Sequence, residues 1–204
     1  MEIRRIDTYT DDRFSKTVLS QHGAYLIGEE PYEVKITGPS EAIVRGRDPD
    51  SYLQLIEEFR FHAPHITRFY DEDHHVIVGY PDVDLLEIRL DQIQPSQFFI
   101  DEAKLEAVRS FVRDSDDVVI QVIPYEDRYI SLDGHTRLYL AVLEGYDHVK
   151  AVISETDEWV WIFVKEAQKR KIFQPADMIL VSHEKYDVLW NEYCDEVFAS
   201  EENQ

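Results

Sequence analysis

Apolar and polar positions alternate in short runs through residues 1–84. GAYLIG, YEVKITG and EAIVRG each read as a strand, with Gly23, Gly28, Gly38 and Gly46 as turns between them. The spacing then changes. In DPDSYLQLIEEFRFHAP the positions Leu53, Ile56 and Phe59/Arg60 recur at helical intervals, with Asp48 or Asp50 as cap, Pro49 in the first turn and Pro64 as the stop. ITRFYDEDHHVIVGYP reads as a hairpin, two apolar runs about Asp71-Glu72-Asp73. PDVD at 81–84 predicts a boundary, and residues 1–84 read as a strand-rich α+β unit of unassigned role.

Beyond the boundary, LLEIRLDQIQPS predicts a strand and a turn closed by Pro95. DEAKLEAVRSFVRDSDD is amphipathic, with Leu105, Val108 and Phe111/Val112 on one face. VVIQVIPYEDRYISLDG predicts a strand pair about Glu126-Asp127-Arg128. ISLDGHTRLYLAVLEGYDHVKAVI predicts a strand, an Asp-Gly turn, a helix and a further strand. Residues 154–204 predict two helices. EWVWIFVKEAQKRKI carries acid first and base last, in accord with the helix dipole, and SHEKYDVLWNEYCDEVF opens on Ser182, a good cap. SEENQ is expected to be a solvated end.

Charge narrows the choice of function. The 204 residues carry 21 Lys and Arg against 42 Asp and Glu, a net charge of −21. The acidic excess is spread along the chain. Nucleic-acid binding draws much of its affinity from neutralising phosphates, so no nucleic-acid partner is expected; an anionic membrane surface is disfavoured on the same ground. The single Cys194 excludes an intramolecular disulfide framework and a multi-cysteine zinc site. With no apolar signal core and no long apolar run, a cytoplasmic location is expected.

The chemistry concentrates at 133–137. Gly134 accepts the positive φ of a tight turn. The helix that follows has unpartnered N–H groups in its first turn, and with the dipole these suit an anion. Thr136 brings a hydroxyl, Arg137 a bidentate fork for phosphate, and His135 a donor or proton-transfer group. Asp133 is placed to hold a metal-bound water, orient His135 or cap the helix. The plain alternative is that Asp-Gly merely turns the corner. Other features read as structural. His62/His65 and His74/His75 are poorly spaced for a metal, so no metal ligands are assigned. Trp159, Trp161 and Trp190 fall at core spacings. Cys194 sits on an apolar stripe beside Asp195 and Glu196, a poor setting for a nucleophile.

Residues 86–153 resemble the ParB/sulfiredoxin-like domain in order and register. LLEIRLDQIQPS is similar to that family's opening strand and turn, DEAKLEAVRSFV to its first helix, and the segment from VIQVIPYEDRYI through DGHTR to Ile153 to its strand pair, D-G-H-x-R box, helix and exit strand. The resemblance implies a ParB/sulfiredoxin-like core at 85–153; the residues at 154–204, read by their own pattern, add a two-helix extension. The resemblance also implies a nucleotide or small phosphorylated ligand whose phosphates meet Gly134, His135, Thr136 and Arg137, with Mg²⁺ accompanying the nucleotide. If phosphoryl transfer or phosphate-ester hydrolysis occurs, the residues themselves offer His135 or Asp133 as the proton-transfer or metal-orienting group. The family includes partitioning proteins that bind CTP and DNA, sulfiredoxins, ParB-like nucleases and free-serine kinases with a D-G-H-H-R box. Sulfiredoxin chemistry needs a cysteine where this chain has His135. Partitioning proteins carry a helix-turn-helix and a basic surface that this chain lacks. The kinases place an acid near the first turn, where this chain reads Pro95-Ser96-Gln97 and offers acids only at Asp101 and Glu102. A non-catalytic interaction or regulatory module, self-associating or docking a partner through its strand-rich N-terminal unit or its aromatic C-terminal helices, is the alternative expectation.

Overall fold

The structure, a computed structural model, describes residues 2–201, with side chains through 199; the acidic end at 202–204 lies outside the described residues. The fold is mixed α+β. The chain separates into two compact units, Met1–Leu86 and Glu87–Gln204, and the segment 154–204 lies within the second.

The first unit runs β1 (Ile3–Arg5), α1 (Lys16–Ser20), β2 (Ala24–Ile27), β3 (Glu30–Gly38), β4 (Glu41–Arg45), α2 (Tyr52–His62), β5 (Arg68–Tyr70) and β6 (Val76–Gly79). The six strands form one sheet in sequence order, antiparallel except for the β4–β5 pair, which the intervening helix α2 makes parallel. β2 is buried on both faces. Tyr25 and Ile27 join the core under α2, with Leu55, Ile56, Phe59 and Phe69. Ala24 and Leu26, on the opposite face, pack with Phe14, Val18 and Leu19. Alternation along the strand therefore feeds two cores at once. The sequence pattern predicted neither β1 nor α1: β1 has only three residues at the sheet edge, and α1 a single turn capped by Ser15 Oγ on Val18 N–H.

The second unit runs β7 (Leu86–Arg89), β8 (Ile93–Pro95), β9 (Phe99–Asp101), α3 (Glu102–Arg109), β10 (Val119–Tyr125), β11 (Arg128–Ser131), α4 (His135–Leu143), β12 (His148–Ile153), α5 (Val160–Lys169), β13 (Ile179–Val181), α6 (His183–Tyr186) and α7 (Glu192–Glu201). Its main sheet has the order β7-β12-β10-β11-β8. β10 and β11 form the expected hairpin, turned at Glu126 with φ of 53°. β10 and β12 are parallel, which requires the crossover that α4 provides. Leu105, Val108 and Leu140 bring α3 and α4 together, while Val160 and Val164 of α5 pack on Ile130. Among the described residues no helix is long and apolar enough to cross a membrane.

The expected pair of C-terminal helices needs correcting. A strand, β13, lies between them and pairs in parallel with β9 as a separate two-stranded sheet. Its three residues, Ile-Leu-Val, suit a strand, and the turn at Pro175–Asp177 separates them from α5. The last helix is also not uniform. Asp187–Asn191, between α6 and α7, is a π-helical turn, a local widening.

Candidate functional site

The Leu132 amide donates to the Gln121 carbonyl at 2.8 Å, the last bond holding the β11 end to β10. Gly134 then turns the chain at φ 82°, ψ 19° and caps α4. Glycine is required here twice over. The left-handed conformation disfavours other residues, and a Cβ would fall 2.7 Å from Ile120 Cγ2 and 3.1 Å from Arg137 Nη2. Gly134→Ala is therefore expected to cost about 2 kcal/mol, combining left-handed strain with local overpacking. Urea denaturation of the variant would measure it.

Arg137 lies back across this turn. Its guanidinium donates to the Val119 carbonyl and meets Asp133 Oδ2 at 3.3 Å. It is partly exposed, and Asp133 is more so. Gly134, which has no side chain to bond with, occupies the cap position of α4. Thr136 is half-buried on the first turn.

His135 is placed differently from the expectation of a group facing a ligand. Its ring is buried, and Nε2 lies 3.1 Å from Ser96 Oγ, which donates to the Ser131 carbonyl at 2.7 Å. Burial pushes the imidazole down to about 4, against the opposing pull of the Asp133 carboxylate and the Ser131 carbonyl. The ring is thus neutral at physiological pH and ties α4 to the loop after β8. The neighbouring Ser131 hydroxyl is buried and has no hydrogen-bond partner among the described residues. The structure brings Asp133, Gly134 and Arg137 together at the helix mouth and turns His135 inward.

A second group of chemistry-bearing residues is formed by segments far apart in sequence. Asp101 is fully buried. Its Oδ1 accepts the Ala103 amide at 2.8 Å, capping α3, and its Oδ2 lies 2.8 Å from His183 Nδ1. The His183 ring is 59% exposed. Asp101 raises the imidazole pKa through this hydrogen bond and its charge. No local pattern signals the pair: Asp101 reads as a cap, and His183 as the first residue of a helix.

The remaining candidates are structural. Cys194 is half-buried, and burial, then Asp195, pushes its thiol up to about 11. Trp159 and Trp190 join Phe98, Phe163, Tyr193 and Phe198 in one aromatic cluster. His75 Nδ1 lies 3.2 Å from Asp71, within its own hairpin turn. Among the described residues no group of three or more His, Cys, Asp or Glu is placed to hold a metal.

No family model and no curated protein matches the chain. The solved structure of protein Atu1540 from Agrobacterium tumefaciens is similar over 47% of this chain and 53% of its own, at 22% identity and a TM-score of 0.31. The chain thus spans about half of that relative's length, and a likeness this slight carries no argument here.

Proposed function

We propose that the second unit binds a phosphate-bearing small molecule, a nucleotide by class, at the first turn of α4 in a ParB/sulfiredoxin-like frame. The observation that carries this is the position of Arg137. Its guanidinium packs on the Cα side of Gly134, so a cation sits within the first turn, beside N–H groups that have no helical acceptor. In a chain of net charge −21, such local positive charge is what an anion needs. The hairpin, left-handed glycine, helix and parallel exit strand also follow the order of the resembled domain. Because His135 is buried, Asp133 is the group left to handle a proton or to share Mg²⁺ with the phosphate. One exposed carboxylate plus ligand oxygens and water is an ordinary Mg²⁺ environment.

The ligand would displace Asp133 from Arg137, so the two side chains give opposite predictions. Arg137→Ala abolishes binding. Asp133→Asn strengthens simple anion binding a few-fold, because it removes a competing charge. The test is thermal shift with ATP, ADP, CTP, GTP and O-phosphoserine, with and without Mg²⁺, since a ligand of the native state raises the melting temperature by mass action. No shift at millimolar ligand, or an equal shift in Arg137→Ala, overturns the site.

A second reading is a non-catalytic interaction module. It is favoured by the inward, neutral His135 and by Val188, Leu189 and Phe198, which stand exposed along the C-terminal helix. Self-association measured by light scattering, lost in a Val188→Lys, Leu189→Lys variant, would support it.

A further inference from the structure

The segment 179–199 lies along the second unit like a strap. Three-residue β13 pairs with three-residue β9, in the register Ile179↔Phe99, Leu180↔Ile100 and Val181↔Asp101. So small a sheet is marginal alone. Tyr186 accepts from Gln97 Nε2 at 3.3 Å and lies under Lys104 Nζ at 4.7 Å. Trp190 and Tyr193 pack on Phe98 at 4.9 and 5.4 Å between centroids. The ionisable tie is His183 to Asp101, across 82 residues of sequence.

We propose that the Asp101–His183 pair is a pH-sensitive clasp that sets how firmly this strap is seated on β9 and on the loop carrying Ser96 and Gln97. The geometry separates the two halves of the clasp. Asp101 is fixed in the core by its capping bond to Ala103, whereas His183 reaches it from the strap and keeps its ring open to protons. Three acidic groups face His183: Asp101 from the β9–α3 junction, Glu184 from α6 and Asp187 from the π-helical turn that follows, with Asp187 Oδ2 3.8 Å from Nε2. Protonated His183 is therefore favoured with the strap in place. Because the folded-state pKa is raised, the contribution is full below about pH 6.5 and is lost as pH rises through the folded value. A neutral ring still donates one hydrogen bond, so the strap loosens rather than dissociates. The loop transmits this change, since Gln97 holds Tyr186 while the adjacent Ser96 holds His135 at the mouth of α4.

Hydrogen exchange of the full chain, corrected for intrinsic rates, tests the clasp at about pH 6.5 and about pH 9. Protection of the peptides spanning 179–199 is expected to fall by roughly two- to fivefold at the higher pH, the scale of a charged pair with one solvent-open partner. Peptides of β10 and β12 are expected to stay unchanged. His183→Gln should abolish the pH dependence. That variant keeps the test valid if Asp101→Asn, which also disturbs the α3 cap, fails to fold. Protection that is independent of pH, or an equal dependence in His183→Gln, overturns the proposal. Stronger protection at about pH 9 overturns it as well.

Discussion

Replacing Phe98 with alanine is expected to destabilise the second unit by about 3–5 kcal/mol, the range for deleting a buried aromatic ring. Phe98 is fully buried and touches four groups at once. Phe99, Trp190 and Tyr193 meet it edge-on, with centroids 5.2, 4.9 and 5.4 Å away, and the Arg170 guanidinium lies 4.5 Å over its ring. These neighbours come from β9, the C-terminal helix and the end of α5, so no single element can shift to fill the cavity. The measurement is convenient, because all three tryptophans, Trp159, Trp161 and Trp190, lie within Glu87–Gln204. Urea unfolding followed by tryptophan emission therefore reports on this unit. The midpoint should fall with little change in slope. Val188→Ala, at a position 56% exposed on the same helix, should move the curve by no more than about 0.5 kcal/mol. A Phe98→Ala loss below about 1 kcal/mol would mean that the aromatic cluster is not packed as described.

Acid is expected to destabilise the same unit through His135. The imidazole is buried neutral, with its folded-state pKa lowered from 6.5 to about 4. Between these values the unfolded chain binds the proton and the folded chain does not. Stability conferred by the neutral ring is therefore present above about pH 6.5 and is lost as pH falls toward 4. Each pKa unit corresponds to about 1.4 kcal/mol, so the full loss is on the order of 3 kcal/mol. His183 has the opposite sign, since its contribution is already full in this range. Asp7, held down to about 2 chiefly by the His22 ring 3.8 Å away and then by Arg5, belongs to the first unit and titrates lower. Urea midpoints taken between pH 7 and 4 would show the slope. His135→Gln should flatten it even if that variant starts out less stable. An unchanged slope would mean that another group controls the acid limit.

The elements legible in the sequence were those decided by nearby residues. The Leu105–Val108 stripe of α3 and the Asp-Gly entrance to α4 need only local rules of period and turn, and they appear where expected. β13 was not legible because its partner, β9, is separated from it by the whole core of the unit. A three-residue Ile-Leu-Val run has no period of its own. The same limit applies to the candidate site. Gly134 and Arg137 could be placed at a helix mouth from their order alone. The inward turn of His135 depends on Ser96 and on the Ser131 carbonyl, contacts that only the folded sheet supplies. Asp101 could be read as an acid near the first turn, but its engagement with His183 could not.

The parallel β9–β13 pair also has a consequence for the order of assembly. During synthesis β9 is made well before the strand that covers it, with Asp101 and His183 separated by 82 residues. Closing so long a loop is a late and entropically costly step. Until it happens, β9 presents an open edge beside Phe98 and Phe99, the kind of surface on which partly folded chains adhere. A growing chain of this protein would be most prone to aggregate after α5 has formed and before β13 arrives, the interval in which a chaperone would have the most to shield.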